Sequence, residues 1–234
     1  MLAIVSAVYL YSISFHEGPS KTAKMFMTSL AHQDWQTVSS ITSGKVLATI
    51  EHRESSAIQP AKIVDLATNV KSSSKQWSCV QVTAETKLTG DDIDVLWYDL
   101  NLRNTDEGWK IYQATPTMPT IKGTDLINQA EPQTIKAIED VFKNYLTALT
   151  QNKYQEAGKF LVGLSRQIHE SKQYELGKSP LITEFKNVKA TSLWNKGKIA
   201  AAHISYTVDG RETTRIVTFY KASNGWRIVD ITPT

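Results

Sequence analysis

The chain has 234 residues, 41% hydrophobic, 21% charged and 9% aromatic. That is the composition of a folded protein with one large domain or two ordinary ones, and it excludes long disorder, collagen-like and coiled-coil designs. Its 26 Lys and Arg against 23 Asp and Glu leave a net charge of +3, and without a basic run or arginine cluster this makes no electrostatic case for nucleic acid.

The chain opens with an uncharged apolar run of 14 residues, Leu2 to Phe15, ended by His16, Glu17, Gly18 and Pro19. The run is shorter than the roughly 18 to 20 residues of a transmembrane helix, and no Ala-x-Ala cleavage site follows it. We expect residues 1–19 to act as an uncleaved anchor that places the rest of the chain on the extracytoplasmic side of a membrane.

Helical patterns follow. Ala23, Phe26, Met27 and Leu30 recur every three or four residues, then Trp35, Val38 and Ile41, then Val46, Leu47 and Ile50. Alternating strand patterns come next, at 62–70, 76–88, 93–102 and 109–115, with turn signals at Thr89-Gly-Asp-Asp92 and Thr105-Asp-Glu-Gly108. The single cysteine, Cys79, sits in the second of these strands, cannot close a disulfide within the chain, and reads as a small buried hydrophobe. Residues 118–131, edged by Pro119 and Pro132, read as a linker.

The pattern then repeats. Ile135, Ile138, Phe142, Tyr145 and Leu149 lay one apolar stripe along a helix starting near Pro132; Tyr154, Ala157, Phe160 and Leu161 form a second helix, and Leu164 and Ile168 mark a third. Strands are expected at 184–194, 198–208, 213–220 and 226–231. Their turns, at Asn195-Lys-Gly197, Asp209-Gly210 and Ser223-Asn-Gly225, supply the positive backbone dihedrals of tight hairpins.

The two halves also match residue by residue. Gly108-Trp-Lys-Ile-Tyr-Gln-Ala-Thr-Pro-Thr117 recurs as Gly225-Trp-Arg-Ile-Val-Asp-Ile-Thr-Pro-Thr234, an offset of 117. Lys24 to Gln36 aligns with Lys143 to Gln155 at an offset of 119. Two matches in the same order at nearly the same separation make the chain a duplication. The fold class is therefore α+β: two tandem repeats, 20–117 and 132–234, each of about three helices packed on a curved antiparallel sheet of about four strands.

Phe26, Leu30 and Trp35, with Tyr145, Leu149 and Tyr154, followed by short helices and a meander closing on Trp109-Ile111 or Trp226-Ile228, resemble the nuclear transport factor 2-like (ketosteroid isomerase-like) superfamily. The resemblance covers 20–117 and 132–234 and implies cone-like domains whose open ends hold a ligand, a catalytic site or only side chains. Tandem copies behind a membrane segment are similar in plan to TcpC-type conjugation proteins, which implies a type IV secretion-like setting.

Enzymatic motifs are sparse. The five histidines (16, 32, 52, 169 and 203) have no partner at metal-ligand spacing, and Gly163-Leu-Ser-Arg-Gln167 lacks the second glycine of a nucleophile elbow. An isomerase of the superfamily would need a carboxylate and an oxyanion-holding pair in the cone. Asp94 and Asp99, with Trp97 and Tyr98, could supply them, but turn acids ordinarily face water, and Tyr98, Leu100 and Leu102 share a core face that turns Asp99 outward. The second half offers less acid still, since Ile199 to Val208 carries only His203 and Ser205 opposite its apolar residues.

We therefore expect no catalytic, metal or cofactor residues. The partners expected are other protein subunits of a membrane-associated complex, with self-association, and the alternative is a small-molecule-binding or isomerase-like protein using one cone. Charge divides unevenly: residues 1–117 hold 10 basic and 12 acidic side chains, and 118–234 hold 16 and 11. Lys186, Lys189, Lys196, Lys198, Arg211 and Arg215 in the second repeat are the candidate surface for an anionic partner.

Overall fold

The computed structural model describes residues 18–54, 61–88, 90–119, 129–176 and 182–234. The first 17 residues of the expected anchor and most of the expected linker lie outside them. Among the described residues, no helix is long and apolar enough to cross a membrane.

The chain divides into two compact units: residues 1–88 with 96–117, and residues 89–95 with 118–234. The first repeat runs α1 (18–32), α2 (Trp35–Ser40), α3 (Gly44–Glu54), β1 (Lys62–Ser73), β2 (Trp77–Lys87), β3 (Ile93–Thr105) and β4 (Gly108–Pro116). The second runs α4 (Pro132–Thr150), α5 (Tyr154–Gly158), α6 (Leu164–Leu176), β5 (Phe185–Lys196), β6 (Ile199–Val208), β7 (Arg211–Ala222) and β8 (Gly225–Pro233). Each set of strands is an antiparallel meander in sequence order. Three helices followed by four strands, twice, is the α+β plan that the repeat and the superfamily resemblance led us to expect.

Local chemistry explains the elements. The fixed φ of Pro132 suits the first turn of α4, where its missing N–H has no partner to lose. Ile138, Phe142, Leu146 and Leu149 then stack along the buried side of that helix. Asp34 caps α2 by accepting the Thr37 N–H at 3.1 Å. Between β6 and β7, Asp209 (φ 47°) and Gly210 (φ 76°) take the two left-handed positions of a tight hairpin turn.

Each unit has its own core. In the first, Phe26 and Met27 of α1 and Val38 pack with Val80, Val82, Leu100, Leu102 and Ile111 of the sheet. In the second, Ile138, Phe142 and Leu146 pack with Ala202, Ile204, Val217, Phe219 and Ile228. Tyr98 borders the first core as expected, and Asp99, on the opposite face of β3, pairs with Lys71 at 2.8 Å. Cys79 is half-buried, and burial pushes its thiol pKa up.

The repeat extends to hydrogen bonds that join helices to sheet. The Ile111 N–H donates to the Ile41 carbonyl at 2.9 Å, and the Ile111 carbonyl accepts from the Ser43 N–H at 2.9 Å. In the second unit the Ile228 N–H donates to the Phe160 carbonyl at 2.8 Å, and its carbonyl accepts from the Val162 N–H at 3.0 Å. The closing hairpins match as well: a bulge between Asn101 and Leu102 has its counterpart between Thr218 and Phe219. Gln33 (φ 60°) and Asn152 (φ 57°) make the same left-handed turn after the first helix of each repeat.

One expectation about the turn acids fails. Asp92 and Asp94 are only partly exposed. Residues 89–95 cluster with 118–234, and there the Asp92 carboxylate takes two hydrogen bonds from the Arg166 guanidinium, at 3.0 and 2.6 Å. Asp94 Oδ1 accepts the Gly163 N–H at 2.7 Å. A turn rich in acid faces water only when no cation or free backbone donor stands over it, and here both do.

Candidate functional site

The place where the third helix of each repeat approaches its closing strand is the natural site to inspect, because the cradle there is duplicated while its lining is not. A glycine opens the third helix at this point in both units: Gly44 (φ 59°) and Gly163 (φ 63°) hold the same left-handed conformation.

In the first unit this region forms a half-open cavity of about 770 Å³. Phe26 and Leu30 of α1, Val46 and Ile50 of α3, and Ala114 and Pro116 of β4 form apolar walls. Its polar lining is Lys45, Thr49, Tyr98, Tyr112, Gln113 and Thr115. Among the described residues, no carboxylate or imidazole lines it. Asp94 and Asp99, the acids weighed for proton transfer, both lie elsewhere.

In the second unit the equivalent cavity is smaller, about 410 Å³. At the 119-residue offset, Tyr145 stands for Phe26, Tyr154 for Trp35, Ser165 for Val46, Ile168 for Thr49 and His169 for Ile50. Asp230 stands for Gln113 on the closing strand, and Lys172 adds a cation.

His169 is fixed by its neighbours. Its Nε2 lies 2.8 Å from the Tyr154 carbonyl, and its ring meets that of Tyr145 edge-on at 6.4 Å. Gly158 faces it closely enough that a Cβ there would be in van der Waals contact with the imidazole, at 3.4 Å. Burial first, then the nearby Tyr206 and Tyr154, push the Tyr145 hydroxyl up to about 12, so it stays protonated and able to donate at neutral pH. Asp230 Oδ2 accepts the Thr232 hydroxyl at 2.7 Å, and the Ser165 hydroxyl donates to the Val229 carbonyl at 2.6 Å.

The second unit thus brings an acid and a tyrosine to one cavity. Reading the second repeat as poor in acid missed this, because it looked along β6, whereas Asp230 arrives on β8. The signal was present in the repeat itself, since Asp230 aligns with Gln113.

Beside this cavity lies a charge cluster centred on a buried arginine. Arg166 is 8% exposed. Burial works against its charge, but the hydrogen bonds it donates to Asp92 and Glu170 outweigh that and hold it firmly protonated. Asp94 goes the other way: burial raises its pKa, against the opposing pull of the Gly163 N–H and the Arg166 charge.

The six basic residues expected to form an anionic-partner surface are spread along the second sheet. Lys186, ion-paired with Glu184 at 3.4 Å, and Arg211 lie at one end, where Phe185 pairs with Val208 and Val208 with Arg211. Lys196 and Lys198 flank the turn at the other end, roughly 30 Å away along β5. Lys198 stands over the Tyr220 ring at 5.6 Å. Lys189 is exposed midway, opposite Ser205. Arg215 pairs with Ile204 and shares the inner face of β7 with Val217 and Phe219; it is half-buried, and its Nη1 donates to the Thr214 carbonyl. Arg215 occupies the place of Tyr98 in the repeat, on the inner face of the second sheet, apart from the other five.

No protein-family model matches the chain, and no curated protein matches it. Among solved structures it is similar to an Ntf2-like protein involved in plasmid conjugation, with a TM-score of 0.29 and 11% identity over 86% of this chain and 87% of that one. It is also similar to a cystatin-like protein from Ruminococcus gnavus ATCC 29149, with a TM-score of 0.27 and 8% identity over 96% of this chain and 91% of that one.

Proposed function

We propose that this chain is a non-catalytic assembly protein. In this reading it is held at a membrane by its N-terminal apolar segment, with both units on the extracytoplasmic side, and it works in a conjugative transfer, type IV secretion-like apparatus. The observation that carries the reading is the contrast between cradle and lining. The duplication keeps Gly44 and Gly163, Leu30 and Leu149, Trp109 and Trp226, and Ile111 and Ile228. It exchanges Tyr98 for Arg215, Ile50 for His169 and Gln113 for Asp230. A scaffold kept twice while its lining chemistry is swapped suits units that hold two different surfaces in place better than it suits one reaction carried out twice. The tandem plan expected of TcpC-like chains supports the conjugative setting.

Cross-linking in the native host, followed by recovery of the chain from membranes, tests the assembly reading. Subunits of a transfer apparatus are expected among its cross-linked neighbours; a chain recovered free of them from the soluble fraction would contradict it.

Asp230, His169 and Tyr145 around one cavity favour a second reading, an isomerase-like second unit in which the carboxylate moves a proton and the high-pKa tyrosine holds an oxyanion. Turnover of a cyclic enone lost in Asp230→Asn with the fold intact would support it.

A further inference from the structure

The cavity of the first unit carries a more specific implication, which goes beyond the assembly reading and does not depend on it. Its volume, about 770 Å³, lies within the range of sites that hold small molecules, roughly 300–1,000 Å³. Six apolar side chains form its walls, and the polar groups among them are of one kind: an ammonium (Lys45), two phenols (Tyr98 and Tyr112), two hydroxyls and one amide. Among the described lining residues each of these can donate a hydrogen bond, one is a cation, and none is an anion. Such a lining matches a ligand with an apolar body and an anionic head. It would reject a cationic head, which would find no counter-charge there.

The second unit supplies an internal comparison. On the same scaffold Lys45 is replaced by Leu164, Phe26 by the hydroxylated Tyr145 and Gln113 by Asp230, and the volume falls to about 410 Å³. Lys172 still supplies a cation there, but the Asp230 carboxylate in the same lining and the smaller space both disfavour the same ligand. The geometry points to the first unit as a binding site for a single-chain amphiphile with a carboxylate head, seated with its chain against Phe26, Leu30 and Ile50 and its carboxylate at Lys45.

The test uses the full chain, with dodecanoate as the ligand and 8-anilinonaphthalene-1-sulfonate fluorescence as the reporter it displaces. One dodecanoate per chain is expected. Lys45 is exposed, so Lys45→Glu is expected to leave the unfolding midpoint in place while weakening dodecanoate about tenfold, the loss of one charge-assisted hydrogen bond. Ala114→Trp fills the cavity and should abolish binding. Thr49→Trp, at an exposed position of the same lining, does so without entering the core. Ile168→Trp, the equivalent change in the second unit, should leave binding unchanged. Equal affinity for dodecyltrimethylammonium, dodecanoate binding indifferent to both Lys45→Glu and Thr49→Trp, or no binding at all would overturn the inference. None of those results bears on which proteins the chain cross-links to.

Discussion

Ile111 and Ile228 hold the same position in their units: each is fully buried, and each exchanges two backbone hydrogen bonds with the segment between its second and third helices. Each therefore ties helices to sheet through its backbone and fills the core through its side chain. Truncating either, as Ile111→Ala or Ile228→Ala, leaves the backbone bonds and removes the packing. The expected cost is about 2–5 kcal/mol in each case, read as the loss of unfolding free energy in urea. A large cost at one position and none at the other would contradict the structural equivalence of the units.

Gly44 tests the cradle at the backbone level. Its φ of 59° is left-handed, and a Cβ there would meet nothing within 4 Å, so strain is the only penalty for a side chain. Gly44→Ala is expected to cost about 1 kcal/mol, and Gly44→Asn less, because asparagine tolerates this conformation. An alanine variant as stable as the parent would show that the turn relaxes to another conformation.

The Arg166 cluster is expected to be costly to break from one side. Arg166 is bonded to Asp92 through two nitrogens and to Glu170 through a third, and its removal in Arg166→Met strands the largely covered Asp92 carboxylate. A loss of about 3–5 kcal/mol is expected. The double variant Arg166→Met, Asp92→Asn should recover much of it, since no charge is then left without a partner. Denaturation of the single and double variants at neutral pH measures both steps.

Two groups give stability a pH dependence, with the same sign at different ends of the scale. Burial raises the Asp94 pKa above the ordinary aspartate value of 3.8. The folded state therefore binds this proton more tightly than the unfolded state, and the contribution is complete below 3.8 and lost as pH rises through the folded value. Asp94→Asn keeps an oxygen for the Gly163 N–H and removes the buried charge, so it is expected to stabilise the protein at pH 7 and to make no gain near pH 3. Tyr145, raised from 10 to about 12, contributes fully below pH 10, and that contribution is lost as pH rises through about 12. In an alkaline absorbance titration Tyr145→Phe should remove a late-titrating phenol. An Asp94→Asn protein less stable than the parent at pH 7 would count against the burial assignment.

Much of this fold was legible because the chain states it twice. Leu100 and Leu102 alternate with Asp99 as any half-buried strand does, and Gly108-Trp109 and Gly225-Trp226 mark where each repeat closes. The site was harder to read. The lining of each cavity comes from several separate segments, α1, α3, β3 and β4 in the first unit and α4, α5, α6 and β8 among those in the second, and no local pattern shows that Ser165, His169 and Asp230 meet. Strand alternation alone is no guide at a bulge, and one interrupts the pairing of β7 and β8 just before Asp230. Arg215 looked like one more surface cation of a basic repeat; alignment with Tyr98 would have placed it on the inner face. The acids of the 91–94 turn misled for another reason, since their partners Gly163 and Arg166 lie some 70 residues away.

The assembly account is tested most directly by the frequency of conjugative transfer from a native donor strain lacking this chain. The account predicts that transfer collapses, and that it is restored by the wild-type chain and by the Asp230→Asn variant, which keeps both cradles and removes the carboxylate that lines the second cavity. Normal transfer without the chain, or a failure of Asp230→Asn to restore it despite normal folding, would contradict a non-catalytic role in that apparatus.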